Sequence, residues 1–178
     1  MRLIKMLGKA KILVIGDLIL DEYIWGDVER ISPEAPVPIV WASRKTHMLG
    51  GAANVANNIH SLGAEVFLVG VVGNDSSKDT LLAELISRKM ATRGIFTSDE
   101  VERNTTVKTR IIAQHQHVLR IDWEHTKPLP RSINLKMIDI IQKNIDFYDA
   151  VIIEDYGKGV ISPEILEAVI PLARDQGK

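Results

Sequence analysis

Gly50-Gly51-Ala52-Ala53-Asn54-Val55-Ala56 is the stretch whose chemistry reads most directly. Adjacent glycines let a backbone come close to a ligand, and a helix starting there turns its free N–H groups and positive dipole end toward it. Asn54, about one turn in, can both donate to and accept from hydroxyl groups. The same residues also make an ordinary loop-to-helix turn, and the segment alone leaves both readings open. It lacks the Gly-Lys-Ser/Thr ending of a nucleotide loop and does not follow the first strand, as a dinucleotide fingerprint does.

Other candidates sit where strands should end. Gly16-Asp17 and Asp21 follow an apolar run, and open α/β sheets bind ligands at the carboxyl ends of their strands. A carboxylate there can accept bonds from sugar hydroxyls; a turn or helix cap is the alternative role for Asp17, and more so for Asp21. Thr106, Lys108 and Arg110 alternate and so share one strand face. Two cations on that face, with Arg120 from a partner strand, suit a substrate phosphate; a solvated charged face explains them equally well. In Asp155-Tyr156-Gly157-Lys158-Gly159, the carboxylate suits a hydroxyl or a metal-bound water and Lys158 suits a phosphate. His115 and His117 share a face but have no third ligand nearby, so polar hairpin-tip residues are expected rather than a metal site.

The elements that must carry these groups are legible from periodicity. Lys11–Asp17, Glu65–Gly73 and Ala150–Asp155 are short, β-branched and apolar on both faces, as strands covered by helices are. Helices alternate with them at 51–62, 76–90 and 132–147. A last helix has Ser162 as N-cap and Pro163 at its first position. Such alternation predicts an α/β fold with a mostly parallel sheet of about three strands. Residues 22–44 break the pattern with Pro33, Pro36 and Pro38 before a strand-like 37–42. Residues 104–123 read as a hairpin turning near Gln114–Gln116. Both belong to a small β-layer projecting from the α/β body. Trp25, Trp41 and Trp123 are expected as core or lid anchors, and 98–103 as a solvated loop. The last helix ends at Gln176-Gly177-Lys178 with no strand to complete the crossover, so the fold is expected to be incomplete at the C-terminus.

Composition narrows the function. The 22 basic and 23 acidic residues give a net charge of −1, which argues against a general nucleic-acid or anionic-membrane binder. Without cysteine there are no disulfides, thiolate metal sites or cysteine nucleophiles. The apolar runs Ile12–Ile15 and Val66–Val72 fall far short of the ~20 residues that span a bilayer. Lysines interrupt the first nine residues before a signal-peptide core develops. A cytoplasmic protein is expected.

Together these pieces resemble the ribokinase-like (PfkB-type) carbohydrate kinases. The likeness rests on the first strand ending in Gly16-Asp17, the Gly50–Ala56 helix start and Leu62-Gly63-Ala64, and it covers nearly the whole chain. Arg30-Ile31-Ser32-Pro33-Glu34-Ala35-Pro36-Val37-Pro38, Thr106–Arg110 and Asp155–Gly159 are most similar to D-glycero-β-D-manno-heptose 7-phosphate kinases. The resemblance implies a three-layer sandwich with a small β lid, formed within about 22–44 and 104–123, over residues 1–178 as the N-terminal portion of a kinase domain. It implies ATP-dependent phosphorylation, with Mg²⁺, of the anomeric hydroxyl of the heptose 7-phosphate. Asp17, Gly50, Gly51 and Asn54 match its sugar-binding positions, and its lid strands commonly form a homodimer interface. Lys108, Arg110 and Lys158 are assigned by spacing to the 7-phosphate, with Asp155 beside them. The family's catalytic Gly-Xaa-Gly-Asp is absent: Gly-Asp occurs at Gly16-Asp17 and Gly26-Asp27 without the preceding glycine. The chain thus holds no catalytic residue and is expected to show little or no activity alone. The alternative is a non-catalytic sugar-phosphate-binding or assembly module.

Overall fold

A computed structural model describes Gly8, residues 10–98 and residues 103–178. The rest of the first nine residues, and 99–102 of the stretch read as a solvated loop, lie outside them. Strand β1 (Lys11–Gly16) passes through one residue into β2 (Leu18–Ile31), which folds back as β3 (Pro38–Gly50) and runs directly into helix α1 (Gly51–Ser61). Then come β4 (Glu65–Val72), α2 (Ser76–Ser87), β5 (Ile95–Thr97), β6 (Thr106–Ala113) and β7 (Gln116–Trp123). Helix α3 (Arg131–Asn144), a 3₁₀ turn (Ile145–Phe147), β8 (Ala150–Glu154) and α4 (Pro163–Asp175) complete the order.

The strands form two four-stranded sheets. The first has order β5-β4-β1-β8 and is parallel at every pairing. Its central strands bury side chains on both sides. Leu13, Ile15, Phe67 and Val69 pack with Met137, Ile141, Ile165 and Val169 of α3 and α4. Ile12, Val14 and Leu68 pack with Ala52, Ala56, Leu81 and Leu85 of α1 and α2. Helices therefore cover both faces, which makes three layers. Each fully buried large apolar side chain stabilises this body by about 1.5–3 kcal/mol. The expected cap forms, the Ser162 hydroxyl accepting from the Ile165 amide to start α4, and Gly63 ends the α1 turn at φ +94°.

The second sheet has order β3-β2-β6-β7. Pairing is antiparallel for β2–β3 and β6–β7 and parallel for β2–β6. The projecting layer is thus confirmed but is larger than its sequence suggests. Residues 18–31 form one long strand, and β3 extends through Gly50 rather than stopping near 42. Register shifts at Trp25/Gly26 and Val28/Arg30 break the two-residue alternation that would have announced β2. At the first of these a Cβ on Gly26 would lie 2.3 Å from the Trp41 carbonyl oxygen, so the position excludes any side chain. The parallel sheet likewise gains β5, three residues long and too short for a pattern. Trp41 and Trp123 are 72% and 58% exposed, a correction to their expected place as core or anchor residues. Among the described residues no helix is long and apolar enough to cross a membrane.

Candidate functional site

The site lies where the two sheets join. Register places Asp21 opposite Lys108, and Tyr23 opposite Arg110. Lys108 in turn faces Asp122, and Arg110 faces Arg120. Because side chains alternate, Asp21, Tyr23, Lys108, Arg110, Arg120 and Asp122 occupy one face. The carboxylate at the glycine turn is Asp21. A Cβ on Gly50 would stand 2.6 Å from its Oδ2, so glycine is what admits that carboxylate. Gly51 has φ +53°, and a Cβ there would lie 2.3 Å from the Asp17 carbonyl oxygen. That same carbonyl accepts from the Ala52 amide at 2.9 Å, fixing the start of α1. Asn54 is exposed one turn into α1.

Three of the four predicted cations are committed. Arg110 donates to Asp21 Oδ1 at 2.5 Å and its guanidinium lies 5.3 Å from the Tyr23 ring. Burial would weaken its hold on the proton, but the bond and charge of Asp21 reverse this and raise its pKa. Arg120 is paired with Asp122 through two hydrogen bonds. Lys158 reaches Glu124 at 2.8 Å and is largely buried, so a carboxylate stands beside the cation assigned to a phosphate. Lys108 differs. Its ammonium lies 5.7 Å over the Tyr156 ring and has no ion-pair partner among the described residues. The Tyr156 hydroxyl has a raised pKa, from the Glu154 charge first and burial second.

Asp17 makes a different set of contacts. It is fully buried, and its carboxylate faces inward onto the loop after β8. Oδ2 accepts from the Tyr156 amide at 2.7 Å and the Lys158 amide at 3.1 Å; Oδ1 accepts from the Val160 amide at 3.3 Å. Three of the roughly four acceptor positions of this carboxylate are therefore taken by loop amides. Asp155 is exposed, and its side chain accepts from the Gly157 amide at 2.8 Å, a strand-end turn. His115 and His117 are exposed at the hairpin, and no group of three metal-ligating side chains occurs among the described residues.

Two residues escaped the sequence reading. Arg103, in the stretch taken as a solvated loop, is 7% exposed. It donates to the carbonyls of Lys127 and Lys158. Burial lowers its pKa while the Asp17 charge opposes that. Glu22, on the opposite face of β2, accepts from Lys45 at 2.5 Å and Thr109 at 3.0 Å, and lies 3.3 Å from His47 Nε2. Burial favours its neutral form, but these partners outweigh it and leave the pKa lowered. Neither had a sequence signal, because both partnerships join strands or loops far apart in the chain.

Known proteins resemble this arrangement. The chain is 48% identical over 168 residues to the bifunctional protein HldE of Helicobacter pylori (strain HPAG1), a match covering 94% of this chain and 36% of that protein. It therefore spans about a third of the length of such curated relatives. A putative ribokinase from Agrobacterium tumefaciens superposes with a TM-score of 0.66 at 21% identity, covering 96% of this chain and 51% of that one. Escherichia coli phosphofructokinase-2, solved with fructose-6-phosphate, gives 0.67 at 17% identity, covering 94% and 52%. These two establish the ribokinase-like fold. The profile of the pfkB family carbohydrate kinases matches residues 9–178, and the chain belongs to that family.

Proposed function

We propose that this chain is the sugar-binding portion of a heptose 7-phosphate kinase, acting on D-glycero-β-D-manno-heptose 7-phosphate. The whole enzyme would transfer a phosphoryl group from ATP to the anomeric hydroxyl, giving the 1,7-bisphosphate used for ADP-heptose and lipopolysaccharide core synthesis in the cytoplasm. Family membership and the similarity to HldE support the kinase class and the sugar. The observation that carries the reading is Lys108: a cation with no ion-pair partner among the described residues, beside an aromatic ring, on the face that also bears Asp21, Arg110 and the Gly50 turn. An ammonium in such a place suits a phosphate, and the carboxylate with Asn54 suits hydroxyls.

In this proposal ATP and Mg²⁺ are held largely by parts of the complete enzyme other than this chain. Of the two Gly-Asp pairs, Asp17 is consumed by loop amides, and Asp27 lies on β2 opposite Trp41. Phosphoryl transfer needs charge stabilisation around the γ-phosphate, so the isolated chain is expected to bind sugar phosphate without turning it over. A homodimer through the second sheet is part of the proposal. Its exposed Trp41, Leu119 and Trp123 also favour a second reading, an assembly module that binds sugar phosphate without catalysis. Calorimetric titration with the heptose 7-phosphate, and with the same heptose lacking phosphate, tests the site. Binding that requires the phosphate and weakens in Lys108→Ala supports it; equal binding of both sugars, or none of either, refutes it. A thermal shift with ATP in the longer protein but not in this chain separates the kinase from the assembly module.

A further inference from the structure

The backbone of Lys158 is gripped at both ends by buried charges. Its amide donates to the Asp17 carboxylate at 3.1 Å, and its carbonyl accepts from the Arg103 guanidinium. Gly157 and Gly159 flank it at φ +68° and +78°, so the loop takes a path that ordinary residues adopt only under strain. A Cβ on Gly159 would lie 2.2 Å from the Lys127 carbonyl oxygen, the same carbonyl that accepts from Arg103 at 3.4 Å. The Lys158 side chain ends on Glu124, directly after β7. Arg103 itself stands three residues before β6. Gly73, at the end of β4, has no room for a Cβ because the 103–105 backbone crosses it, with the Arg103 carbonyl oxygen 2.2 Å from that Cβ position. One guanidinium therefore meets the entry to β6, the segment leaving β7 and the loop leaving β8.

We propose that Arg103 is a positioning residue: by tying the Lys127 and Lys158 carbonyls together it fixes the 155–160 loop against the inner ends of β6 and β7. Tyr156 and Lys108 stand on the two sides of that joint, and their contact across it depends on its geometry. The consequence for ligand rests on the function proposed above. Buried charges hold such joints well, because an ion left without its partner in a dry interior is strongly unfavourable. Arginine is suited where lysine is not, since its planar fork reaches two carbonyls at once.

Amide hydrogen exchange on the purified chain tests this directly. In Arg103→Met the amides of Tyr156, Lys158 and Val160 should exchange at least about tenfold faster, the loss of a charge-assisted bond, while those of β1 and β4 keep their wild-type rates. Arg103→Lys, which keeps the charge but not the fork, should fall between; if the methionine variant does not fold, it decides by the same rule. Unchanged loop exchange overturns the proposal. So does equal acceleration everywhere, which would make Arg103 a general stabiliser only. Titration with the heptose 7-phosphate should show at least tenfold weaker binding by Arg103→Met. If wild type binds none of that sugar, the ligand reading falls while the exchange result still judges the joint.

Discussion

Replacing Asp17 by asparagine keeps the side chain's shape and removes its charge, so it isolates what that carboxylate does. In the wild type it accepts three amide hydrogen bonds from the 156–160 loop at 2.7, 3.1 and 3.3 Å. With the asparagine oxygen turned to Tyr156 and Lys158, two bonds survive as neutral ones, each weaker by about 1 kcal/mol. The asparagine NH₂ then faces the Val160 N–H, donor against donor, and a buried unsatisfied amide costs about 1–3 kcal/mol. Loss of the negative charge opposite buried Arg103 pushes the same way. The sum is a loss of roughly 3–5 kcal/mol, a large part of the 5–15 kcal/mol by which a domain is usually stable. For a chain of this size that lowers Tm by roughly 6–20 °C. Denaturant titration and calorimetry, with heptose 7-phosphate affinity measured alongside, check it. An Asp17→Asn protein within 1 kcal/mol of wild type that has lost the sugar would refute the reasoning, because the carboxylate would then be serving the ligand.

Lys108→Ala should weaken heptose 7-phosphate binding about ten- to a hundredfold, the worth of a charge-assisted phosphate contact, and leave stability within about 0.5 kcal/mol; isothermal titration and melting read the two separately. Gly51→Ala forces a left-handed residue and a Cβ contact of 2.3 Å with backbone, and should lose about 2–4 kcal/mol in denaturant titration. Ser162→Ala removes the α4 cap and should cost about 1 kcal/mol by the same measurement. Glu22 has a lowered pKa, so its contribution to stability is fully present above its ordinary value of 4.5 and fades as pH falls through the folded value. The stability advantage of wild type over Glu22→Gln should accordingly shrink below pH 4.5, and parallel acid profiles would contradict the assignment.

What the sequence revealed follows from how local each signal is. The strands of the parallel sheet are continuous apolar runs, and the α4 cap lies within four residues, so both were legible. The glycine pair was legible as a place of close approach, although what approaches there, the Asp21 side chain and the Asp17 carbonyl, appears only in three dimensions. The choice between Asp17 and Asp21 was not readable. Both follow the same strand, and what separates them is a loop 139 to 143 residues further on, whose amides occupy one and not the other. Lys108 and Lys158 were equal as cations; Glu124 distinguishes them, through a contact that no spacing rule contains. Arg103 stood among mixed charges whose ordinary place is the surface, and only the crossing of three chain segments buries it.

The one-residue passage from β1 to β2, and the absence of any linker between β3 and α1, leave the second sheet no slack. Strand side chains alternate with a period of two, so adding or deleting a residue at either junction would turn the strand over. After a deletion at 17, Glu22 and Ile24 would stand where Asp21 and Tyr23 do now, and the pocket chemistry would be exchanged for that of the reverse side. These junctions act as a reading frame for the site. Length variation should be tolerated at the distal 32–37 turn, which is far from both, and eliminated at 17 and 50.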